Sequence, residues 1–315
     1  MDNETYIKEF ILVPFSLKPG YTSLTTSVFF FLYVFGVLIN SSIIAVIYTD
    51  VKLHTPMYVF LCNLAFVDIC FTTTTVPKLL YMLLSGDNTV SFIQCFTQMY
   101  FFALIGGAED IVIFIMAYDR YVAICDPLHY HDILNRKHCI SLVSGTWILG
   151  ILNSFVFTTS ALHMSFCHSH TIQQFFCDPK ALINVSCAGS EQFYIVIYLE
   201  LLILGFFPAM FSLTSYIKII RIVLQIKSKD GRKKAFSTCS SHLIIVIMYY
   251  MTCFSAYMMP NLEYSNVLEQ VLTALYSVVT PMINPLIYSL RNKDVKSALR
   301  RLLGVILSLK KIKVK

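Results

Sequence analysis

Seven long apolar runs dominate this chain and decide what it can fold into. They cover Ser23–Tyr48, Met57–Leu84, Ile93–Ile124, Cys139–Leu162, Phe193–Val223, Ser241–Met259 and Val267–Leu290. A run of about 18 or more apolar residues matches the hydrocarbon thickness of a bilayer. Inside that layer only helices and closed barrels satisfy every backbone group. The expected fold class is an all-α membrane protein, a seven-transmembrane helix bundle. Composition agrees: 57% of the 315 residues are hydrophobic and 13% are charged, against about 25% charged in a soluble domain. The third run reads as the least hydrophobic, because it holds Glu109, Asp110, Asp119 and Arg120. There is no internal repeat or low-complexity segment, and the linkers are short. Residues 1–315 therefore read as one domain, with an extracellular N-terminus 1–22, the bundle 23–290 and a cytoplasmic tail 291–315.

Lys and Arg concentrate on cytoplasmic connections, and here they separate cleanly. One set of loops carries Lys52, Arg136, Lys137, Lys227, Lys229, Arg232, Lys233, Lys234 and the tail from Arg291 to Lys315. The opposite set carries Lys8, Lys18, Lys78 and Lys180. The N-terminus is thus expected outside. The net charge of +6 reads as this topology signal, so no nucleic-acid partner is needed to explain it. The first twenty-two residues lack a basic start and a short apolar core, so no cleaved signal peptide is expected. The sequon at Asn3 falls outside, where glycosylation occurs. A second outer sequon stands at Asn184.

Four of the ten cysteines, Cys95, Cys167, Cys177 and Cys187, fall at or beyond the outer helix ends. Four cysteines allow three pairings, and spacing does not choose among them. His163, His168 and His170 surround Cys167, but the spacing is not that of a closed metal site, and no metal is expected. Charged and amide side chains inside spans are functional candidates by default. Glu109 and Arg120 are eleven residues apart and share a helical face with Phe102, Gly106 and Ile113, which should point into the bundle. Pro208, Pro281 and Pro285 interrupt spans five and seven. Asn284 is placed either to satisfy a freed carbonyl or to bind a cation or water.

The motifs LHTPMY (Leu53–Tyr58), MAYDRYVAIC (Met116–Cys125), Ser215-Tyr216, KAFSTCSSH (Lys234–His242) and PMINPLIYSLRNKDVKSAL (Pro281–Leu299) cover the chain from its first inner loop to its tail. With them the chain resembles a rhodopsin-like G-protein-coupled receptor, and more narrowly the odorant receptors, of which KAFSTC resembles the class II branch. The resemblance implies an activation switch of Asp119, Arg120, Tyr121, Tyr216, His242, Asn284, Pro285 and Tyr288. In it Arg120 is held by Asp119 at rest and freed toward Tyr216 and Tyr288 when the sixth helix swings outward. It also implies a polar, sodium-responsive cluster of Asn40, Asp68, Glu109 and Asn284, with no other cofactor. The bridge Cys95–Cys177 and a further bridge Cys167–Cys187 are implied as well. The chain departs from the family pattern at Asn40, Asp126 and Met251.

An odorant pocket is expected among the outer halves of helices three, five and six. Helical spacing points Phe102, Gly106 and Gly107 toward it, and groups Tyr250, Cys253, Phe254 and Tyr257 on one face of the sixth helix. Glu200, in the outer half of the fifth run, would pair with an amine ligand or accept a hydrogen bond if it faces that space. Small, volatile, mainly hydrophobic ligands are expected. Further implied partners are an olfactory-type stimulatory G protein acting through cyclic AMP, anionic lipid against the basic loops, and trafficking chaperones. The expected location is the plasma membrane, in olfactory cilia. Arg291–Leu303 can form an amphipathic surface helix. A transporter is disfavoured by the odd span count and the lack of repeated halves. An enzyme is disfavoured because no HExxH or GxSxG motif is present.

Overall fold

The computed structural model describes residues 8–15, 20–166, 170–258, 266–291 and 295–302. Among them, seven helices are long and apolar enough to cross a membrane: Thr22–Thr49, Pro56–Ser85, Phe92–Cys125, Arg136–Leu162, Ser190–Gln225, Cys239–Tyr257 and Asn266–Ile287. Their ends follow local chemistry. Ser91 and Gln94 form a reciprocal capping box at the start of the third span, which satisfies two orphan amides. Pro56 opens the second span, where its missing N–H is not needed. That span ends at Gly86 with φ 73°, a left-handed stop that a side chain would resist.

The third span is the hub. Its apolar window is 78% buried, against 28% for the first, 22% for the fourth and 17% for the fifth. Contrary to the reading above, it is more apolar over its best stretch than the sixth or seventh span. The acids that suggested otherwise are few beside its Ile, Phe, Met and Ala residues. The less buried spans turn Phe31, Phe155 and Phe211 outward. Such faces are stable only against lipid, where no water must be ordered around them.

Two interruptions shape the bundle. The fifth span widens into a π-helical turn at Leu201–Phe206 just before Pro208, and the seventh does so at Leu275–Val279 just before Pro281. Such bulges take up a residue that proline cannot bond into the ladder. Pro285 removes the donor that would reach the Pro281 carbonyl, and the Asn40 side-chain amide donates to that oxygen instead at 3.3 Å. Asn284, the residue expected to compete for this task, turns toward the second span.

A small cap covers the outer end. Strands β1 (Glu9–Leu12), β2 (Thr89–Ser91), β3 (Ser165–Phe166), β4 (Thr171–Ile172) and β5 (Ser186–Ala188) form two sheets, ordered β2-β1-β4 and β3-β5. Phe10 and Leu12 of β1 are fully buried. Gln270 of the seventh span accepts from the Phe15 amide at 2.5 Å and donates to the Val13 carbonyl at 2.9 Å. On the inner side residues 295–302 are helical. Val295 and Ala298 are buried, Leu299 and Leu302 pack beside them, and Arg301 pairs with Asp50. That is the amphipathic segment expected after the seventh span.

Candidate functional site

Three polar or hollow stations lie along the buried third span. At its cytoplasmic end Asp119 is fully buried and its two oxygens are both engaged. Arg120 donates to Oδ2 at 2.5 Å, and the Tyr130 hydroxyl donates to Oδ1 at 2.8 Å. Tyr130 stands on the short inner-loop helix Tyr130–Ile133, and the sequence reading did not pair it with Asp119. Loop geometry decides that contact, so helical spacing could not find it. Across from Arg120, the Tyr216 hydroxyl and His242 Nδ1 share a short hydrogen bond between the fifth and sixth spans. His242 and Cys239 lie within electrostatic reach of Arg120, so the sixth span closes over it. Tyr121 turns its ring toward Lys218, whose Nζ is 5.5 Å from the ring centroid. Asp126 pairs with His129 at 2.8 Å. The Tyr288 side chain lies outside the described residues.

At mid-membrane, Asn284 donates to Asp68 Oδ1 at 3.1 Å. Asp68 Oδ2, Asn40 Oδ1 and both oxygens of Glu109 have no hydrogen-bond partner among the described residues. Unmade hydrogen bonds in a dry interior cost about 1–3 kcal/mol each, and more for charged groups. The four residues expected to cluster therefore split. Asp68 and Asn284 bond directly, Asn40 serves the proline kink, and Glu109 faces Asp68 without a bond. Their spare oxygens are the hard donors a sodium-class cation takes. Among the described residues, however, no three His, Cys, Asp or Glu side chains converge as a metal site.

Toward the outside lies a cavity of about 560 Å³, its mouth included. Of the residues expected there, Phe102, Gly106, Gly107, Glu200, Cys253 and Tyr257 line it. Tyr250 and Phe254 do not. The four sixth-span residues cover roughly a 100° arc, and the cavity takes only the Cys253–Tyr257 side of it. Tyr250 and Phe254 stack on each other at 6.0 Å, and Phe254 packs toward Gly205 of the fifth span. The cavity's other walls include Asp110, Phe157, Ile197, Leu201 and Tyr276. Asp110 was legible in principle, since it follows Gly106 and Gly107 at helical i+4 and i+3 spacing. The glycines make the space: a Cβ on Gly106 would sit 3.4 Å from the Tyr276 hydroxyl, and one on Gly107 would sit 3.4 Å from Asn153 Nδ2.

Glu200 accepts from Asn153 of the fourth span at 2.6 Å. Cys95 at the top of the third span is joined to Cys177 in the outer loop, their Cα atoms 5.3 Å apart. That bond brings Pro179 to the cavity wall. Beside it Asp178 caps the loop helix Pro179–Ile183 and accepts from Tyr257 at 3.4 Å. Burial pushes its carboxyl up to about 6. Lys180 pairs with Glu269 at 3.0 Å across the same rim. Asn3, Cys167 and His168 lie outside the described residues, so the expected glycan and the Cys167–Cys187 pair fall there in whole or in part.

The seven-helix bundle thus carries an outer cavity, a buried polar middle and an Asp119–Arg120 pair at its inner end. The sequence profile described as "Olfactory receptor" matches residues 29–305. The chain is 41% identical to "Olfactory receptor 1E2" of Gorilla gorilla gorilla over 301 residues, 96% of each chain. It is 40% identical to "Olfactory receptor 1" of Rattus norvegicus over 300 residues, 95% of this chain and 96% of the other. With the dog protein "Olfactory receptor-like protein OLF4" it shares 41% over 299 residues. The chain belongs to the olfactory receptor family. It is a multi-pass membrane receptor for odorants and not an enzyme.

Proposed function

We propose that odorants bind in the outer cavity and that their binding releases Arg120 to an olfactory-type stimulatory G protein, raising cyclic AMP. One observation carries this reading: a single buried helix presents Phe102, Gly106, Gly107 and Asp110 to the cavity and Asp119-Arg120 to the cytoplasm. A ligand that shifts this helix biases a two-state latch at its far end. The cavity wall is chiefly aromatic and aliphatic, which suits small volatile molecules. Sodium would sit among Asp68, Glu109, Asn40 and Asn284 and supply the charge their unbonded oxygens lack. We further assign the receptor to the plasma membrane of olfactory cilia, delivered with trafficking chaperones. Asn3 is glycosylated, and the basic inner loops lie against anionic lipid.

The test is cyclic AMP in cells co-expressing the chain with an olfactory-type G protein and challenged with a volatile panel. A response retained by the wild type and lost in Arg120→Ala, at equal surface expression, is expected. Equal responses from both proteins would sink the latch. Uptake of the volatile without cyclic AMP would favour a transporter.

A further inference from the structure

The cavity wall is mainly apolar, and its two ionisable carboxyl groups are its strongest polar feature. Asp110 enters it from the third span and Glu200 from the fifth. None of the lining side chains among the described residues carries a positive charge. Glu200 has a partner, since Asn153 donates to its Oε1 at 2.6 Å. Asp110 is differently placed. It is 9% exposed, and its Oδ1 has no hydrogen-bond partner among the described residues. Asp110 and Glu200 are also within electrostatic reach of each other.

We propose that this pair makes the cavity a site for a small aliphatic amine, with the ammonium seated on Asp110 and Glu200 as its second acceptor. The proposal rests on the reading of the cavity as the odorant pocket. An ammonium group has three donors and no acceptor, so it completes Asp110 and reaches a second oxygen without leaving an unmade bond. The rings of Phe102, Phe157, Tyr257 and Tyr276 stand around the same space, and aromatic faces attract a desolvated cation. The alkyl tail would lie against Ile197 and Leu201. A neutral alcohol of the same length offers one donor and no charge, so it cannot pair with both acids. That gives the site a sign as well as a shape.

Pentylamine, pentanol and pentanoic acid are the probes, all of one chain length. They are applied to the full-length receptor in cells, read by cyclic AMP, and to detergent-purified receptor, read by thermal shift. Wild type, Asp110→Asn and Glu200→Gln are compared at matched surface expression. Asp110→Asn keeps the volume and removes the ionisable carboxyl. Pentylamine is expected to stabilise and activate the wild type where the other two do not. Asp110→Asn should lose about ten- to hundredfold in amine potency, and Glu200→Gln less, since Asn153 already holds that side chain. A thermal shift by pentylamine without cyclic AMP would keep the amine site and overturn the coupling. Activation by pentanol with amine inert, or an amine response unchanged in Asp110→Asn, would overturn the amine site and keep the receptor. No shift with any probe overturns it too.

Discussion

Two buried polar groups of the third span invite comparison, the one around Asp119 and the one around Glu109. Both are buried and both hold a carboxyl group. At the inner end each Asp119 oxygen has a donor, from Arg120 and from Tyr130. Half a membrane away, among the described residues, Glu109 has none on either oxygen, and Asp68 has one on only one of its two. A satisfied buried network holds a shape, whereas an unsatisfied one is costly until something occupies it. In the function proposed above, the first is the latch that ligand binding releases and the second is the place a cation fills.

The largest expected effect is on the satisfied side. Arg120→Ala should abolish ligand-evoked cyclic AMP while leaving surface expression intact. A normal dose-response curve from that variant would mean that the pair is only structural. Next comes Tyr130→Phe, which removes a hydrogen bond to a charged oxygen worth about 1.5–3 kcal/mol. If the latch holds the resting state, ligand-free cyclic AMP should rise roughly ten- to hundredfold in constant terms, up to the ceiling of the assay. Unchanged basal signal would place Tyr130 outside the switch.

On the unsatisfied side the sign reverses. Glu109→Gln replaces a buried acid that nothing pairs with a neutral amide of the same size, so the purified receptor should be at least as stable as wild type in sodium-free buffer. It should also lose any rise in melting temperature on adding sodium. A lower melting temperature than wild type would show that Glu109 is already partnered in the resting state. The smallest effect is at the rim. The folded Asp178 carboxyl titrates near 6, above its ordinary value of 3.8. The folded receptor therefore binds this proton more tightly than the unfolded chain does. Stability should rise as the pH falls through 6 and level off below about 4, by at most about 3 kcal/mol. Melting curves of wild type and Asp178→Asn at pH 7.5 and 5 isolate that slope, and parallel slopes would remove Asp178 as its source.

The sequence by itself determined the spans and their direction. A bilayer admits few backbone solutions, and charge asymmetry orients the one that remains. Local spacing also carried Phe102, Gly106 and Gly107 to a shared face, because a helix repeats regardless of its neighbours. It stopped where two helices must meet. Only the tertiary structure decided that the cavity takes Cys253 and Tyr257 but turns away Tyr250 and Phe254, since that boundary is set by the packing of the fifth span. It also decided that Asn40 reaches the Pro281 carbonyl, that Tyr130 returns from a loop to Asp119, and that Asp110 faces the cavity while its neighbour Glu109 does not. Helix periodicity fixes which side chains travel together, but the face they meet belongs to another part of the chain.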